Sequence, residues 1–122
     1  MAVENVVEGC VRETFGAALA LFQAKSAKDA EIRRALGRIA RDETRHAELS
    51  WAVAQWLASQ LDADARHRVH DAQEQAIASL MNDAAREADA SLTERLGVPT
   101  ASQARAVLAE LHAILWSEPI AA

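Results

Sequence analysis

The 122-residue chain is long enough for one domain with a modest core and too short for two. Its net charge of −5, with no Lys/Arg cluster free of interleaved acids, argues against a nucleic-acid groove. No apolar run reaches the roughly 18 residues of a membrane span, no signal peptide is legible, and the single Cys10 excludes an internal disulfide.

A composition that is 51% hydrophobic, rich in alanine, poor in Gly and Pro and devoid of Tyr favours an all-α fold. The expected setting is cytoplasmic, without membrane or nucleic-acid partners. The first helix is expected from about Val3 to Lys25 and is apolar around most of its circumference. Its narrow polar stripe holds Glu4, Asn5, Glu8 and Arg12, with Glu8 and Arg12 at the i,i+4 spacing of a surface ion pair. A turn is expected at Ser26-Ala27-Lys28-Asp29, although it contains neither Gly nor Pro and the apolar stripe keeps nearly the same phase across it. Asp29 is a suitable N-cap, Glu31 suits a first turn, and one helix across residues 3–61 would be unusual outside coiled coils.

The second helix is expected from Ala30 to Leu61, with Arg34, Arg38, Arg41, Arg45, Glu48 and Gln55 on its polar face. The third is expected from Ala65 to Leu96, with Val69, Ala76, Leu80 and Ala84 on one side, until Gly97 and Pro99 stop it. Thr100-Ala101-Ser102-Gln103 reads as a capping box opening a fourth helix that buries Val107, Leu108, Leu111, Ile114 and Leu115. Residues 1–122 are thus read as a single helical domain, a hairpin over 3–61 followed by C-terminal helices over 63–116.

Glu43 and His46 stand one turn apart on the second helix and fall among Ile32, Leu36, Ile39, Ser50 and Val53, away from the arginine face. Chance alone supplies roughly 0.4 Glu-x-x-His pairs in such a chain, so placement rather than the motif carries the signal. An unpaired carboxylate buried there would cost several kcal/mol, and a metal ion is the simplest compensation. With a turn near Lys28, residues equally far from it lie at the same height, which sets Glu13 level with Glu43. Glu13 lies off the polar stripe, in line with Val6, Gly9, Cys10, Gly16, Ala17 and Ala20, whose small side chains permit close approach. Each interior glycine costs about 1 kcal/mol against alanine, which suggests that the approach matters.

Glu13, Glu43 and His46 are therefore the candidate ligands, oxygen and imidazole donors that suit iron or manganese and accommodate zinc. A plainer reading is a hydrogen-bonded Glu/His pair without metal. His67, His70 and His112 fall on polar or flanking positions, and Glu74 and Glu110 lack a histidine three residues on. Cys10 reads as a buried thiol; Trp51, Trp56 and Trp116 read as core or interface packing.

A carboxylate-rich two-metal site in a four-helix bundle takes a Glu from each of two helices and Glu-x-x-His from each of the other two. The chain supplies half of that set. Either the site is mononuclear and open, or two copies meet about a twofold axis and each gives Glu13, Glu43 and His46. The homodimer, alone or within a higher homo-oligomer, is favoured, because the first helix is apolar on more surface than one hairpin covers. It would complete a four-helix bundle. The alternative is a non-catalytic interaction module whose Glu43/His46 pair sets dimer register.

The stretch Glu8-Gly9-Cys10-Val11-Arg12-Glu13-Thr14, followed by Ile39-Ala40-Arg41-Asp42-Glu43-Thr44-Arg45-His46-Ala47-Glu48-Leu49-Ser50-Trp51, resembles the ferritin-like superfamily. It is most similar to bacterial ferritin-like domain proteins related to rubrerythrin, over residues 3–61. The step from Glu13 to Glu43 also resembles encapsulated ferritins, short helical hairpins that build a di-iron ferroxidase centre between two chains. The resemblance implies iron (Fe2+/Fe3+), two ions per dimer, held by Glu13, Glu43 and His46, and oxidation of Fe(II) as the activity. It also implies Asp42 as the hydrogen-bond partner of a histidine. The chain departs from encapsulated ferritins in its long third and fourth helices. It ends Ser117-Glu118-Pro119-Ile120-Ala121-Ala122 without a recognisable targeting tail, which argues against an encapsulin shell as partner. Longer relatives supply the other half-site from an upstream helix pair, so one half of a larger ferritin-like domain is a further alternative.

Overall fold

The computed structural model describes residues 1–121, which form five helices and no strand. Helix α1 is one rod in three parts: an opening turn Ala2–Glu4, a π-helical stretch Asn5–Glu13 and an α-helical stretch Thr14–Ser26. Asn5, Glu13 and Thr14 keep right-handed helical backbone at the junctions, so the rod is not broken. Then come α2 (Ala30–Ala58), α3 (Ala63–Ala84), α4 (Ala90–Leu96) and α5 (Ala101–Leu111), the last continuing as a π-helical turn His112–Trp116. No helix is long and apolar enough to cross a membrane among the described residues.

The expected turn between the first two helices is present. Ala27 and Asp29 adopt extended backbone, and the Asp29 carboxylate accepts from the N–H groups of Glu31 (2.8 Å) and Ile32 (3.2 Å). Two otherwise orphaned donors of α2 are thereby satisfied, which is how a turn forms here without Gly or Pro. Helix α4 braces this turn from outside. Gln23 Nε2 donates to the Leu96 carbonyl at 3.2 Å, and the Lys28 ammonium lies 2.6 Å from Glu94, holding that carboxyl below the usual range. Gly97 ends α4 at φ 70°, and a Cβ there would come within 2.6 Å of Ala27 N. Both the backbone angle and the close approach require glycine.

Helices α3 and α5 close over one side of the hairpin. Val11 of α1 packs there with Ile77, Leu80, Leu108 and Trp116, and Val6 and Cys10 pack with Ala54, Ala58 and Val69. Trp116 Nε1 donates to the Cys10 carbonyl at 3.2 Å, which satisfies the indole inside the core. Gln73 is wholly enclosed: its amide nitrogen donates to the carbonyls of Trp116 (3.4 Å) and Glu118 (3.0 Å), and its oxygen accepts from Ile120 N–H (2.9 Å). One buried side chain thus fastens the tail after α5.

Two expectations about the C-terminal helices require correction. The third helix is not continuous to Leu96. It ends at Ala84, and Asp89 caps α4 by accepting from Ser91 N–H at 2.8 Å, so the hairpin is followed by three helices rather than two. The capping box is as expected: Thr100 Oγ1 accepts from Gln103 N–H and Gln103 Oε1 from Thr100 N–H. Yet Ile114 and Leu115 are exposed, and Trp116 is buried in their place. The π-helical turn at His112–Trp116 takes one more residue per hydrogen bond than an α-turn, and this rotates the apolar stripe past Leu115.

Candidate metal centre

Glu13 closes the π-helical stretch of α1, and Glu43 and His46 meet it from the middle of α2. One carboxylate oxygen from each glutamate and one ring nitrogen of His46 all lie within 4.8 Å of one another. Donors around a shared ion at about 2.1 Å stand roughly 3–4 Å apart, so small side-chain rotations suffice to close the three on a cation. Two hard oxygens and one imidazole nitrogen fit iron, manganese or zinc.

The approach of the two helices is set beside this cluster. A Cβ on Gly9 would lie 2.1 Å from Ser50 Oγ and 2.3 Å from its Cβ, closer than any side chain tolerates. Asn5 Nδ2 donates to the Ser50 carbonyl at 2.9 Å and tightens the same contact. On the other flank Trp51 Nε1 donates to Thr14 Oγ1 at 3.1 Å. Both bonds tie α1 to α2 at Ser50 and Trp51, about one turn beyond His46. At Gly16 a Cβ would stand 3.9 Å from Glu43 Oε2, ordinary contact, so that glycine gives the carboxylate room without being sterically required.

The burial differs from the sequence expectation. Glu13 and Glu43 are half-buried and His46 is exposed. Ile39 is exposed as well, while Ile32, Leu36, Ser50 and Val53 are half-buried. Helices α3 and α5 pack on the other side of the hairpin, which leaves this face to solvent. The penalty for an unpaired buried carboxylate does not arise in the single chain, and the convergence of three donors carries the site instead.

Asp42 pairs with Arg45 on the exposed side of α2 and makes no hydrogen bond to a histidine of its own chain. Cys10 is fully enclosed, and burial, assisted by the Glu13 charge, pushes its thiol up to about 12. Such a thiol is protonated and unreactive at neutral pH. His67 is exposed and lies 3.6 Å from Asp71, His112 is half-buried, and His70 is half-buried with Nδ1 enclosed and unpartnered. Glu74 and Glu110 are exposed. None of these joins the cluster. Sequence reasoning missed the π-helical register that carries Glu13 and the role of Asn5, which was assigned to the polar stripe. The one available signal was Gly9 facing the small Ser50 across the hairpin.

No protein-family model, curated protein or solved structure matches the chain. The site stands on its geometry alone.

Proposed function

We propose that the chain is a ferritin-like iron-binding protein whose Glu13, Glu43 and His46 form half of a carboxylate/histidine di-iron site, shared between two copies, with Fe(II) oxidation as its chemistry. The observation that carries this reading is the convergence of the three donor atoms within 4.8 Å from two different helices. The exposed edge at His46 supports a shared site, since three donors leave coordination positions open toward the uncovered face. A shallow depression lined by Met1, Glu4, Glu8 and Glu13 lies beside the cluster, with Glu4 paired to the N-terminal ammonium at 2.6 Å and Glu8 3.7 Å from Arg12.

Iron is here the substrate. Two Fe(II) ions give up one electron each, and hydrogen peroxide takes both with two protons and leaves as two waters. With dioxygen as oxidant, the same two electrons and two protons yield hydrogen peroxide. Glu13 and Glu43 favour the more highly charged Fe(III) over Fe(II) by direct Coulomb attraction, which promotes oxidation. His46 supplies a neutral donor, and its second ring nitrogen must be held by a hydrogen-bond acceptor to fix the tautomer.

Metal analysis of protein purified from iron-supplemented culture tests the assignment. One iron per chain is expected in the wild type, and less than about a tenth of that in Glu13→Ala and His46→Ala, a loss of at least about 1.4 kcal/mol in affinity. Unchanged iron content in both variants overturns the ligand set. The exposed Leu49 and Trp56 favour a second reading, a non-catalytic interaction module. It predicts a metal-free protein whose mass and melting temperature are indifferent to chelators.

A further inference from the structure

Along α2, large apolar side chains recur on the face that the rest of the chain leaves open. Ile32, Ile39, His46 and Val53 follow one another at heptad intervals, and Ala35, Asp42, Leu49 and Trp56 fall three residues after each. These are the two interleaved series of a helix–helix seam. Ile39 is 48% exposed, Leu49 65% and Trp56 62%, with Asp42 and His46 exposed between them. Glu43 and Ser50 lie on the flank of the seam turned to α1, against Gly16 and Gly9. The candidate ligand set therefore sits on the edge of the seam.

We infer that a second copy of this chain docks along the seam, with the two α2 helices antiparallel and the twofold axis crossing the seam between Asp42 and His46. The inference rests on the shared-site reading and specifies its partner and register. The pattern is self-complementary about that axis. Ile32 faces the partner's Trp56, Ala35 faces the partner's Val53, Ile39 faces the partner's Leu49, and Asp42 faces the partner's His46. Apolar layers thus flank a polar centre on both sides, and the small Ala35 meets a branched residue. In the parallel alternative, Asp42 would oppose a second Asp42 and His46 a second His46, like against like at a covered position. The antiparallel register instead sets carboxylate against imidazole twice. Asp42, which pairs with Arg45 within its own chain, there gains a histidine that it can orient.

The same register sets the two Glu43 side chains together near the axis, each with its Glu13. Four carboxylates then share one site, and their repulsion opposes association until cations neutralise it. Metal and dimer are consequently linked, each tightening the other. An unrelated helix docked on the seam would account neither for the mirrored register nor for the missing half of the ligand set.

Cross-linking tests the register in the full chain with the buried Cys10 replaced by alanine. Ile39→Cys and Leu49→Cys are prepared separately, then incubated with Fe(II) under anaerobic conditions and treated with a short bis-maleimide. Covalent dimers are expected when the two preparations are mixed and not with either alone. Dimers from Ile39→Cys alone indicate a parallel seam, and no dimers in the mixture indicate no seam; either overturns the inference. Because Leu49 is exposed, Leu49→Arg leaves the monomer folded, and about 100-fold weaker dimerisation is expected. The Glu13→Gln/Glu43→Gln double variant separates seam from site. It loses iron and the carboxylate repulsion together, so the cross-link should persist without metal. Iron bound to a chain that stays monomeric refutes the seam and leaves the ligand set standing. The Ile39–Leu49 cross-link in a protein that keeps Glu13, Glu43 and His46 yet takes up no iron refutes the ligand set and supports the seam.

Discussion

Toward α1 and the core, α2 presents Ala40, Ala47, Ala54 and Ala58, all buried; away from them it presents Ile39, Leu49 and Trp56, all exposed. A helix serving a monomer alone would place these residues the other way round, because each large apolar side chain stabilises by about 1.5–3 kcal/mol only when it is buried. Small side chains on the inner face let α1 and α2 approach closely, as at Gly9 against Ser50. Large side chains on the outer face leave apolar area open on both sides of the exposed Asp42 and His46. The difference between the two faces separates what holds the chain together from what remains to be covered.

Substituting one tryptophan on each side tests that contrast most strongly. Trp116 is fully enclosed and bonded to Cys10, so Trp116→Ala should lower unfolding stability by about 3–5 kcal/mol. Trp56→Ala should change it by no more than about 0.5 kcal/mol in protein kept monomeric by dilution. Urea unfolding of both variants checks the pair, and similar losses would erase the distinction between the faces.

A smaller effect is expected at the inner contact. Gly9→Ala forces Ser50 away at a cost of about 1–3 kcal/mol, offset by about 1 kcal/mol of helix propensity. Gly16→Ala meets only ordinary contact, so the propensity gain should dominate and stability should rise by up to about 1 kcal/mol. Thermal denaturation with and without iron should show Gly9→Ala weakening metal uptake together with stability, because Glu13 lies one turn further along α1. Equal behaviour of the two glycine variants would contradict the close-approach account.

The smallest effect concerns pH. Folding raises the Cys10 thiol from about 9.0 to about 12, so the folded chain holds this proton more tightly than the unfolded one. Its contribution is complete below the unfolded value and is lost as pH rises toward 12. Melting temperature between about pH 7 and pH 10 should therefore fall more steeply in the wild type than in Cys10→Ala. Parallel curves would show that the thiol does not contribute.

Much of this was legible in the sequence, where local chemistry leaves a mark. Asp29 signalled the turn that lacks Gly and Pro, Thr100 and Gln103 signalled a helix start, and level matching across the turn brought Glu13 to Glu43. The break after Ala84 was not legible, because Arg86-Glu87-Ala88 suits a helix and only the Asp89 cap decides otherwise. The π-helical stretches left no mark either, since the same residue types serve both registers. An apolar face also does not say which chain covers it, so Ile39 and Val53 read as core although the chain itself leaves them at least partly open.

Intact-mass measurement under native conditions, with bound metal retained, addresses the shared site most directly. The account predicts a dimer carrying two iron ions, and loss of both ions in Glu13→Ala. A wild-type chain that stays metal-free in excess Fe(II), or a Glu13→Ala protein that keeps both ions, would contradict it.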